Sequence, residues 1–311
     1  MKFVVPAMTA VLACSMPPPA SAAQTSDPEQ WRTAMQSARW TGPILASNAE
    51  TLPQGHFYTE PYFFDVISGG KHNPGSSGFY QYGLFEGLTV GLQPNFGYGT
   101  DGPNRGMSVG DVKLLSQLRL THFTPEHRIP TIAIALQETI PTGKYDQLGP
   151  GKQGHGSGSF ATEIGVNVQQ YFLLNNGRLL RGRINFLQRF PHGADVEDRS
   201  VYGTELGFRG HAKPGPRTTL IGAVEYSLTR EWVLALDVIG EASGKTKLRG
   251  RNGEGTAVSQ VFPSSRYVGF APAVEYNWSD RTGILLGVWV IPKGHNTPAS
   301  ATPAFAFSRF W

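Results

Sequence analysis

The chain has 311 residues, 16% of them charged, with 27 Lys and Arg against 23 Asp and Glu, which gives a formal net charge of +4. This small and dispersed basic excess gives no reason to expect a nucleic-acid partner. A single cysteine, Cys14, excludes a disulfide framework. After the first residues, no apolar run reaches the roughly 18 residues of a helical membrane span.

The N-terminus has the pattern of a secretory signal peptide. Lys2 is followed by an apolar run from Phe3 to Leu12 and then by small residues at Ala20-Ser-Ala-Ala23. The apolar run is too short to span a membrane, so we predict a signal peptide over 1–23 and an exported chain. The position of Cys14 resembles a lipoprotein cleavage box only weakly, and lipidation is the less favoured alternative.

Residues 24–53 are predicted to form an N-terminal periplasmic segment. Asp27-Pro-Glu-Gln30 has the features of a helix start, with Asp27 as the N-cap and Pro28 at the first helical position. The spacing of the apolar residues that follow predicts a helix near 28–39. This segment either plugs or braces a barrel mouth, or forms a loose periplasmic tail, and the sequence favours the tail.

Apolar and polar residues alternate along many short segments from residue 54 onward. In Leu88–Tyr98 the apolar side chains fall on one phase, and small or polar side chains fall on the other. About 9–11 residues are enough for a tilted strand to cross a bilayer. The predicted strands are 54–67, 78–85, 88–98, 109–121, 129–140, 160–172, 179–190, 218–228, 231–241, 266–278, 283–291 and 302–311.

Short and long connections take turns between these strands. The tight turns are 86–87, 175–177, 229–230 and 279–282, and the long connections are 68–77, 99–108, 141–158, 191–217, 242–264 and 292–301. This alternation is typical of an outer-membrane barrel with short periplasmic turns and long outer loops. We therefore predict an all-β, transmembrane, antiparallel up-and-down β-barrel of about twelve strands over 54–311. Ser200–Gly210 also alternates, and we place it in the 191–217 connection as an outer extension or hairpin.

Aromatic residues mark one rim of the predicted barrel. Tyr226, Trp232, Trp278 and Trp311 lie next to tight turns or at the chain end, and each is on the apolar phase of its strand. This is the expected position of an aromatic girdle in contact with outer-membrane lipids. The final residues, Phe305–Trp311, resemble the C-terminal signal read by the barrel-assembly machinery, although Arg309 departs from that pattern.

The polar phase of the strands supplies the candidate lumen. Charges there either set ion selectivity or pair with one another across a narrow interior. Arg181, Arg183 and Arg189 share one strand phase and would favour anionic solutes if unpaired. Glu60, Glu138 and His56 lie at less certain phases. The lumen-lining candidates are Asp111, Lys113, Arg119, Glu163, Arg181, Arg183, Arg189, Glu225, Asp237 and Glu275, with Glu241 on the same phase.

Three features that resemble functional motifs give little support to a nucleotide-binding, catalytic or metal-binding function. Gly97–Gly102 matches G-x-G-x-x-G, but Pro103 follows where a nucleotide-binding helix would have to open. His155 lies near Ser157 and Ser159, yet no nearby residue has a clear orienting role for nucleophilic catalysis. The His residues have no metal-ligand spacing. We expect no catalytic residues, no metal and no cofactor.

Several short motifs resemble one known family. They are Trp40-Thr-Gly-Pro43, Leu52-Pro-Gln-Gly-His56, Glu60-Pro-Tyr62, Tyr82-Gly-Leu84, Leu88-Thr-Val90, Gly110-Asp-Val112, Ile140-Pro-Thr-Gly-Lys-Tyr145 and Glu275-Tyr-Asn277. Over roughly 40–311 the chain resembles the outer-membrane proteins named for the meta pathway of phenol degradation. The resemblance implies a monomeric outer-membrane barrel of the kind labelled as a transporter for aromatic or other hydrophobic compounds. It provides no established substrate residues and does not imply phenol itself as the solute.

The sequence thus predicts an outer-membrane channel or facilitator of a Gram-negative bacterium, for small aromatic or hydrophobic molecules. The loops 141–158 and 242–264 are expected to act as lids. A closed barrel with a structural or surface-interaction role is the first alternative. An outer-membrane lipid-modifying enzyme is the second.

Overall fold

The main body of the molecule is a closed barrel of twelve antiparallel strands. The computed structural model describes residues 28–99 and 102–311. The predicted signal peptide 1–23 and the predicted N-cap Asp27 lie outside the described residues. Across the two described ranges, no helix combines the length and the apolar character that a membrane span requires.

Within the described ranges, one α-helix precedes the barrel, and eighteen strands follow. The helix is α1 (Pro28–Gln36), and a short 3₁₀ helix covers Gly102–Asn104. The strands are β1 (Phe57–Ser68), β2 (Lys71–Phe85), β3 (Leu88–Gln93), β4 (Asn95–Gly99), β5 (Gly106–Val109), β6 (Val112–Thr121), β7 (Thr131–Ile140), β8 (Ala161–Leu173), β9 (Leu179–Pro191), β10 (Ala194–Glu197), β11 (Arg209–Lys213), β12 (Arg217–Ser227), β13 (Trp232–Ser243), β14 (Thr246–Arg251), β15 (Ala257–Phe262), β16 (Ser265–Ser279), β17 (Thr282–Ile291) and β18 (Ser300–Phe310).

The barrel ring runs β1-β18-β17-β16-β13-β12-β9-β8-β7-β6-β3-β2, and β2 pairs with β1 to close it. We call the end that carries the short connections, the start of β1 and Trp311 the turn end. The opposite end, which carries the long connections, is the loop end. Closure pairs the edges of the sheet, which a strand-built membrane protein requires because hydrocarbon offers no hydrogen-bond partners.

Side chains alternate between the two faces of the barrel wall, as predicted. In β13 the outward residues are apolar and exposed, whereas the inward residues are buried and include an acid. The same alternation holds in β8 and β12. The outer surface is therefore an apolar belt suited to lipid, and the predicted twelve-strand transmembrane barrel is confirmed. In β13 the outward set is Trp232, Leu234, Leu236 and Val238, and the inward set is Val233, Ala235, Asp237 and Ile239.

The predicted single strand 88–98 is interrupted. It is divided into β3 and β4 at Pro94. Proline has no N–H to donate to a neighbouring strand, so the ladder breaks there. β3 pairs with β6, whereas β4 pairs with β2 and with β5 beyond the regular barrel wall.

The prediction of a long connection over 68–77 is wrong. β1 and β2 continue to a tight turn at Gly69 and Gly70, with Ser68 opposite Lys71. Both glycines have positive φ, 56° and 75°. Two consecutive residues of this kind suit the type I′ turn that closes a two-residue hairpin.

Two long connections fold into a small sheet at the loop end. Strands β10, β11, β14 and β15 pair in that order. The predicted hairpin in the 191–217 connection is present, but its strands are β10 and β11 rather than Ser200–Gly210, most of which connects them. A buried apolar cluster that includes Val196, Phe208 and Leu248 holds this sheet together.

The expectation of a loose N-terminal tail is wrong for the described residues from 28 onward. Trp31 and Ala34 of α1 are buried against Phe123, Tyr171 and Leu179 at the turn end. The rings of Trp31 and Phe123 lie 5.5 Å apart. The helix is amphipathic, and its apolar face is covered by the barrel mouth rather than by solvent.

The lipid-facing assignment predicts a depth-dependent cost for a charge. Val238, at the middle of β13, is 48% exposed on the outer face. Val238→Arg should lower the free energy of unfolding by about 2–4 kcal/mol, measured by urea titration in lipid vesicles. The matched control is Val261→Arg in β15 of the loop-end sheet, which should cost about 0–1 kcal/mol near or beyond the interface. Equal costs at the two positions would contradict the assignment.

Candidate functional site: the barrel lumen

The segment that follows α1 enters the barrel interior from the turn end. Arg39 Nε donates to Asp280 Oδ1 at 2.6 Å in the turn between β16 and β17. The Thr41 N–H then donates to Glu275 Oε2 at 2.6 Å. Deeper in the lumen, the N–H of Ala46 donates to Asp237 Oδ1 at 3.0 Å. Backbone donors of this segment thus satisfy acidic side chains of the wall.

The same segment then returns towards the turn end along the opposite wall. Gln117 Nε2 donates to the carbonyls of Asn48 and Glu50 at 3.0 and 2.9 Å. The Glu50 carboxylate accepts from Arg119 at 2.9 Å. Residues 39–53 therefore form a loop inside the barrel, which we call the lumen segment.

A buried ion cluster lies beside the lumen segment. Arg181 Nε donates to Glu225 Oε2 at 2.7 Å, and a second bond joins Arg181 Nη2 to Glu225 Oε1. Arg183 Nε lies 3.0 Å from Glu225 Oε2, and Arg183 Nη1 donates to the Ala46 carbonyl at 2.8 Å. The three charged side chains are at most 4% exposed. A two-pronged Arg–carboxylate pair of this kind is strong and geometrically specific.

Aromatic rings connect this cluster to the helix at the turn end. The Arg181 guanidinium carbon lies 4.4 Å from the centre of the Trp40 ring, within the range of a cation–π contact. Trp40 contacts Tyr171 edge-on at 6.2 Å, and Tyr171 lies 5.2 Å from Phe123. The lumen segment and α1 are therefore anchored by one continuous set of contacts.

Two of the three cations on β9 have an acidic partner. Arg181 and Arg183 share the single carboxylate of Glu225, and Arg183 is further held by the lumen segment. Arg189 lies nearer the loop end of the same strand. This part of the lumen therefore follows the alternative in which the charged side chains pair with one another. The register of β9 and β12 places Arg181 directly opposite Glu225.

A second group of charges occupies the loop-end half of the lumen. Arg217 Nη2 lies 3.6 Å from Glu163, and Arg217 Nε lies 3.7 Å from Glu241. Lys113 and Arg189 are close enough to Glu163 for their charges to interact. Sequence reasoning missed Arg217 because it placed this residue in a connection rather than in β12.

Asp111 holds a loop rather than facing an open path. Its carboxylate accepts from the N–H of Gly143 at 3.1 Å and from the N–H and Oγ of Ser157 at 2.8 and 2.6 Å. The His155 ring is bonded instead to Ser108 Oγ at 2.8 Å. The Ser–His pair that catalysis would need is therefore not formed at Ser157.

The 141–158 connection packs against the small sheet at the loop end. Tyr145 Oη donates to the carbonyl of Asp195 at 2.9 Å, and Tyr202 Oη donates to that of Ser157 at 2.6 Å. Burial raises the pKa of Tyr202 to about 12, so the phenol keeps its proton as a donor at neutral pH. The loops form one connected cap.

A cavity of about 400 Å³ lies between the lumen segment and the barrel wall. The acid Glu60 on this wall is 7% exposed. Sequence reasoning left Glu60 out because its strand phase was uncertain. Among the lining residues are Tyr58, Glu60, Tyr62, Phe79, Gln117 and Asn167, together with much of the lumen segment.

The four rim aromatics lie on the outer face at the turn end. Trp232, Trp278 and Trp311 are 44%, 45% and 59% exposed. Trp232 lies 4.6 Å from Tyr276, which the sequence analysis did not include in the girdle. Tyr226 accepts a hydrogen bond from Asn176 in the turn after β8.

Comparison with known proteins gives similarity at the level of the fold. No protein-family model matches the chain, and no curated protein sequence matches it. An outer membrane channel from Pseudomonas putida F1 has a TM-score of 0.60 and 14% identity, covering 86% of this chain and 100% of that chain. At this identity the similarity speaks for the barrel fold alone.

Two further solved structures are less similar. The NanC porin has a TM-score of 0.48 and 10% identity, covering 80% of this chain and 98% of its own. The toluene transporter TodX of Pseudomonas putida has a TM-score of 0.38 and 11% identity, covering 88% of this chain and 94% of its own. Neither similarity is strong enough to support an argument about this chain.

The buried ion cluster predicts a large effect of removing its carboxylate. Glu225→Gln leaves two buried guanidinium groups without their acid and should destabilise the barrel by about 3–5 kcal/mol in vesicle unfolding experiments. The control is Glu205→Gln, because Glu205 is 87% exposed and lies 3.7 Å from Arg199. That change should cost about 0–1 kcal/mol. A similar small cost at Glu225 would show that the cluster is unimportant for stability.

The anchor of the lumen segment predicts an altered titration at Asp280. The hydrogen bond from Arg39 and the charges of Arg39 and Arg230 hold the pKa of Asp280 below its ordinary value of 3.8. Because the folded-state pKa is lowered, the contact stabilises the fold above pH 3.8 and is lost as the pH falls through the lowered pKa.

Arg39→Ala should therefore raise the pKa of Asp280, measured by ¹³C NMR of the aspartate carboxyl carbons. Arg178→Ala removes a cation from another turn and should leave the Asp280 titration unchanged. If Arg39→Ala also leaves it unchanged, the Arg39 contact does not control this carboxylate.

Proposed function

We propose that this protein is an outer-membrane channel or facilitator for small aromatic or hydrophobic molecules in a Gram-negative bacterium. The observation that carries the proposal is the cavity of about 400 Å³ inside a closed barrel with an apolar exterior. Its wall combines aromatic side chains with amides and an acid. Pockets that hold small organic molecules have this mixed character.

The path we propose runs beside the lumen segment. The β1, β2 and β6 side of the wall contacts the cavity, whereas the β9, β12 and β13 side is occupied by the ion cluster and its partners. The predicted polar lining residues would act in two groups. Arg181, Arg183, Glu225, Asp237 and Glu275 hold the lumen segment and the wall, and Lys113, Glu163 and Arg189 line the loop-end half. The loops 141–158 and 242–264 would cover the outer mouth.

The predictions of a family, an aromatic girdle and an assembly signal, which come from the sequence, are part of this proposal. We propose that the chain belongs to the family named for the meta pathway of phenol degradation, on the strength of the motifs. Five of these motifs contain residues that line the cavity, namely Trp40–Pro43, Leu52–His56, Glu60–Tyr62, Leu88–Val90 and Glu275–Asn277. We propose that Tyr226, Trp232, Trp278 and Trp311 form a girdle at the lipid interface. Trp311 at the chain end would be read by the barrel-assembly machinery. We propose no enzymatic role, because His155 and Ser157 are bonded to different partners.

One observation favours a second function, that of a closed structural barrel. The lumen segment occupies the turn-end half of the interior and is bonded to at least five strands, β3, β6, β9, β13 and β16. A barrel filled in this way could serve as a rigid scaffold for surface interactions. Ion flow distinguishes the two functions directly.

The test is the conductance of the full chain in planar bilayers. We expect discrete channel openings of small amplitude, because the lumen segment leaves a cavity of only about 400 Å³ beside it. A variant that lacks residues 24–53 should conduct several-fold more. If neither protein carries current, the channel proposal fails and the closed barrel is favoured.

A pair of cysteines tests the role of the lumen segment without shortening the chain. Thr41 Oγ1 and Ser308 Oγ lie 3.3 Å apart, so Thr41→Cys with Ser308→Cys can tie the lumen segment to β18. Lower current in the oxidised than in the reduced protein would mean that the segment moves during passage. The single Thr41→Cys variant should not respond to the same oxidant.

A further inference from the structure

The cavity wall contains a buried carboxylate with an unused acceptor. Glu60 is 7% exposed, and its Oε1 has no hydrogen-bond partner within residues 28–99 and 102–311. The side chains of Tyr58 and Tyr62 hydrogen-bond to its carboxyl group, but no basic side chain of the described residues lies at bonding distance. An ionisable side chain at membrane depth is costly unless a charged partner accompanies it, and one without such a partner points to a functional site. The open acceptor on the cavity wall is therefore a position for a ligand that donates a hydrogen bond.

Aromatic side chains surround this carboxylate. Tyr58 and Tyr62 lie two residues before and after Glu60 in β1, so all three side chains project to the same side of the wall. Phe79 of the neighbouring strand meets Tyr62 edge-on at 6.2 Å. All four residues line the cavity. The wall around Glu60 thus offers flat π surfaces against which an aromatic ring can pack.

The buried ionisable side chains of the described residues include more acids than bases. Arg217 offsets Glu163 near the loop end, which leaves four buried acidic side chains against two arginines in the rest of the interior. This excess of acids offers acceptors to a ligand that donates a proton or a hydrogen bond, and it offers no matching site to an anion. The buried charged residues in the described ranges are Glu60, Glu163, Glu225, Asp237 and Glu275 against Arg181 and Arg183.

The other buried acids are held by the protein itself. Glu225 binds the two guanidinium groups. Asp237 accepts from the N–H groups of Leu45 and Ala46. Glu275 accepts from Thr41 through Oε2. Its Oε1, like that of Glu60, has no hydrogen-bond partner among the described residues, but Glu275 does not line the cavity.

The remaining charges on the cavity wall are also accounted for. Glu50 is bound to Arg119, and Asp280 is bound to Arg39. Arg183 is bound to Glu225, and Arg281 is exposed in the turn between β16 and β17. Glu60 is therefore the acid that the wall presents to a solute.

We infer that this cavity binds small aromatic cations, with a protonated amine on Glu60 and the ring against Tyr58, Tyr62 and Phe79. The electron-rich faces of the tyrosines add a second attraction for the cation. This inference rests on the proposed function and specifies the solute class of the same lumen. The cavity would select cations, whereas a path lined by unpaired arginines would select anions.

The first test compares three ligands of similar shape on the unmodified full chain in detergent. Isothermal titration calorimetry at pH 7 should give at least tenfold tighter binding for benzylamine than for neutral benzyl alcohol. The anion benzoate should bind more weakly than either. Equal binding of the three ligands, or no binding of benzylamine, would overturn the inference.

The second test removes the charge at constant size. Glu60→Gln should weaken benzylamine binding at least tenfold and leave benzyl alcohol binding nearly unchanged. Glu241→Gln is the control, because Glu241 is an acid of the same barrel interior that lies outside this cavity and near Arg217. Unchanged benzylamine affinity in Glu60→Gln would contradict the assigned contact. Because the ligand comparison needs no variant, a folding defect in Glu60→Gln does not remove the test.

Bilayer conductance of the same preparations separates this inference from the channel proposal. Benzylamine binding without any current would support the site and remove the channel. Current without preference for benzylamine would keep the channel and remove the site.

Discussion

The organisation of this molecule follows from placing the outer face of every barrel strand in hydrocarbon. Polar side chains must then turn inward, where they meet one another in a narrow space rather than in bulk water. Arg181, Arg183 and Glu225 satisfy one another, but Asp237 and Glu275 have no basic partner at bonding distance. Backbone N–H groups of the lumen segment supply the missing donors. The segment is therefore part of the folded interior, and the barrel wall and the segment depend on each other.

The barrel was predictable because its main signal is local. A two-residue alternation assigns each side chain of a strand to lipid or lumen without knowledge of any neighbour. The errors came from turn chemistry within the strands and connections. Gly69-Gly70 is a hairpin signal in the sequence, and Pro94 is a signal for a broken ladder. The prediction places Gly69-Gly70 in a long connection and Pro94 inside a single strand, and it therefore misses the extended hairpin and the division of 88–98.

The sequence was enough to assign individual side chains to the lumen, but not to predict which of these side chains pair with one another. Arg181 and Glu225 lie directly opposite each other in the β9–β12 register, which becomes visible only when the intervening connection is known to return the chain to the adjacent position. The lumen segment gave no such signal. Several of its contacts are made by backbone N–H and carbonyl groups, which every residue except proline carries in full. Glu60 was missed because an isolated acid beside Pro61 has no clear alternating context.

Some buried acids are held by arginines of the wall and others by backbone N–H groups of the lumen segment. The two kinds would respond differently if the lumen became wider. The Arg181–Glu225 pair belongs to the wall and would stay in place if the lumen segment withdrew. Asp237 and Glu275 would instead lose backbone donors that water or a solute amine can replace at similar hydrogen-bond strength. Withdrawal would therefore add two acids to the path, and it would also release Arg119 from Glu50 and Arg183 from the Ala46 carbonyl. Widening the lumen and uncovering its charged side chains are thus coupled, because the segment that fills the interior also binds the acids and the bases of the wall.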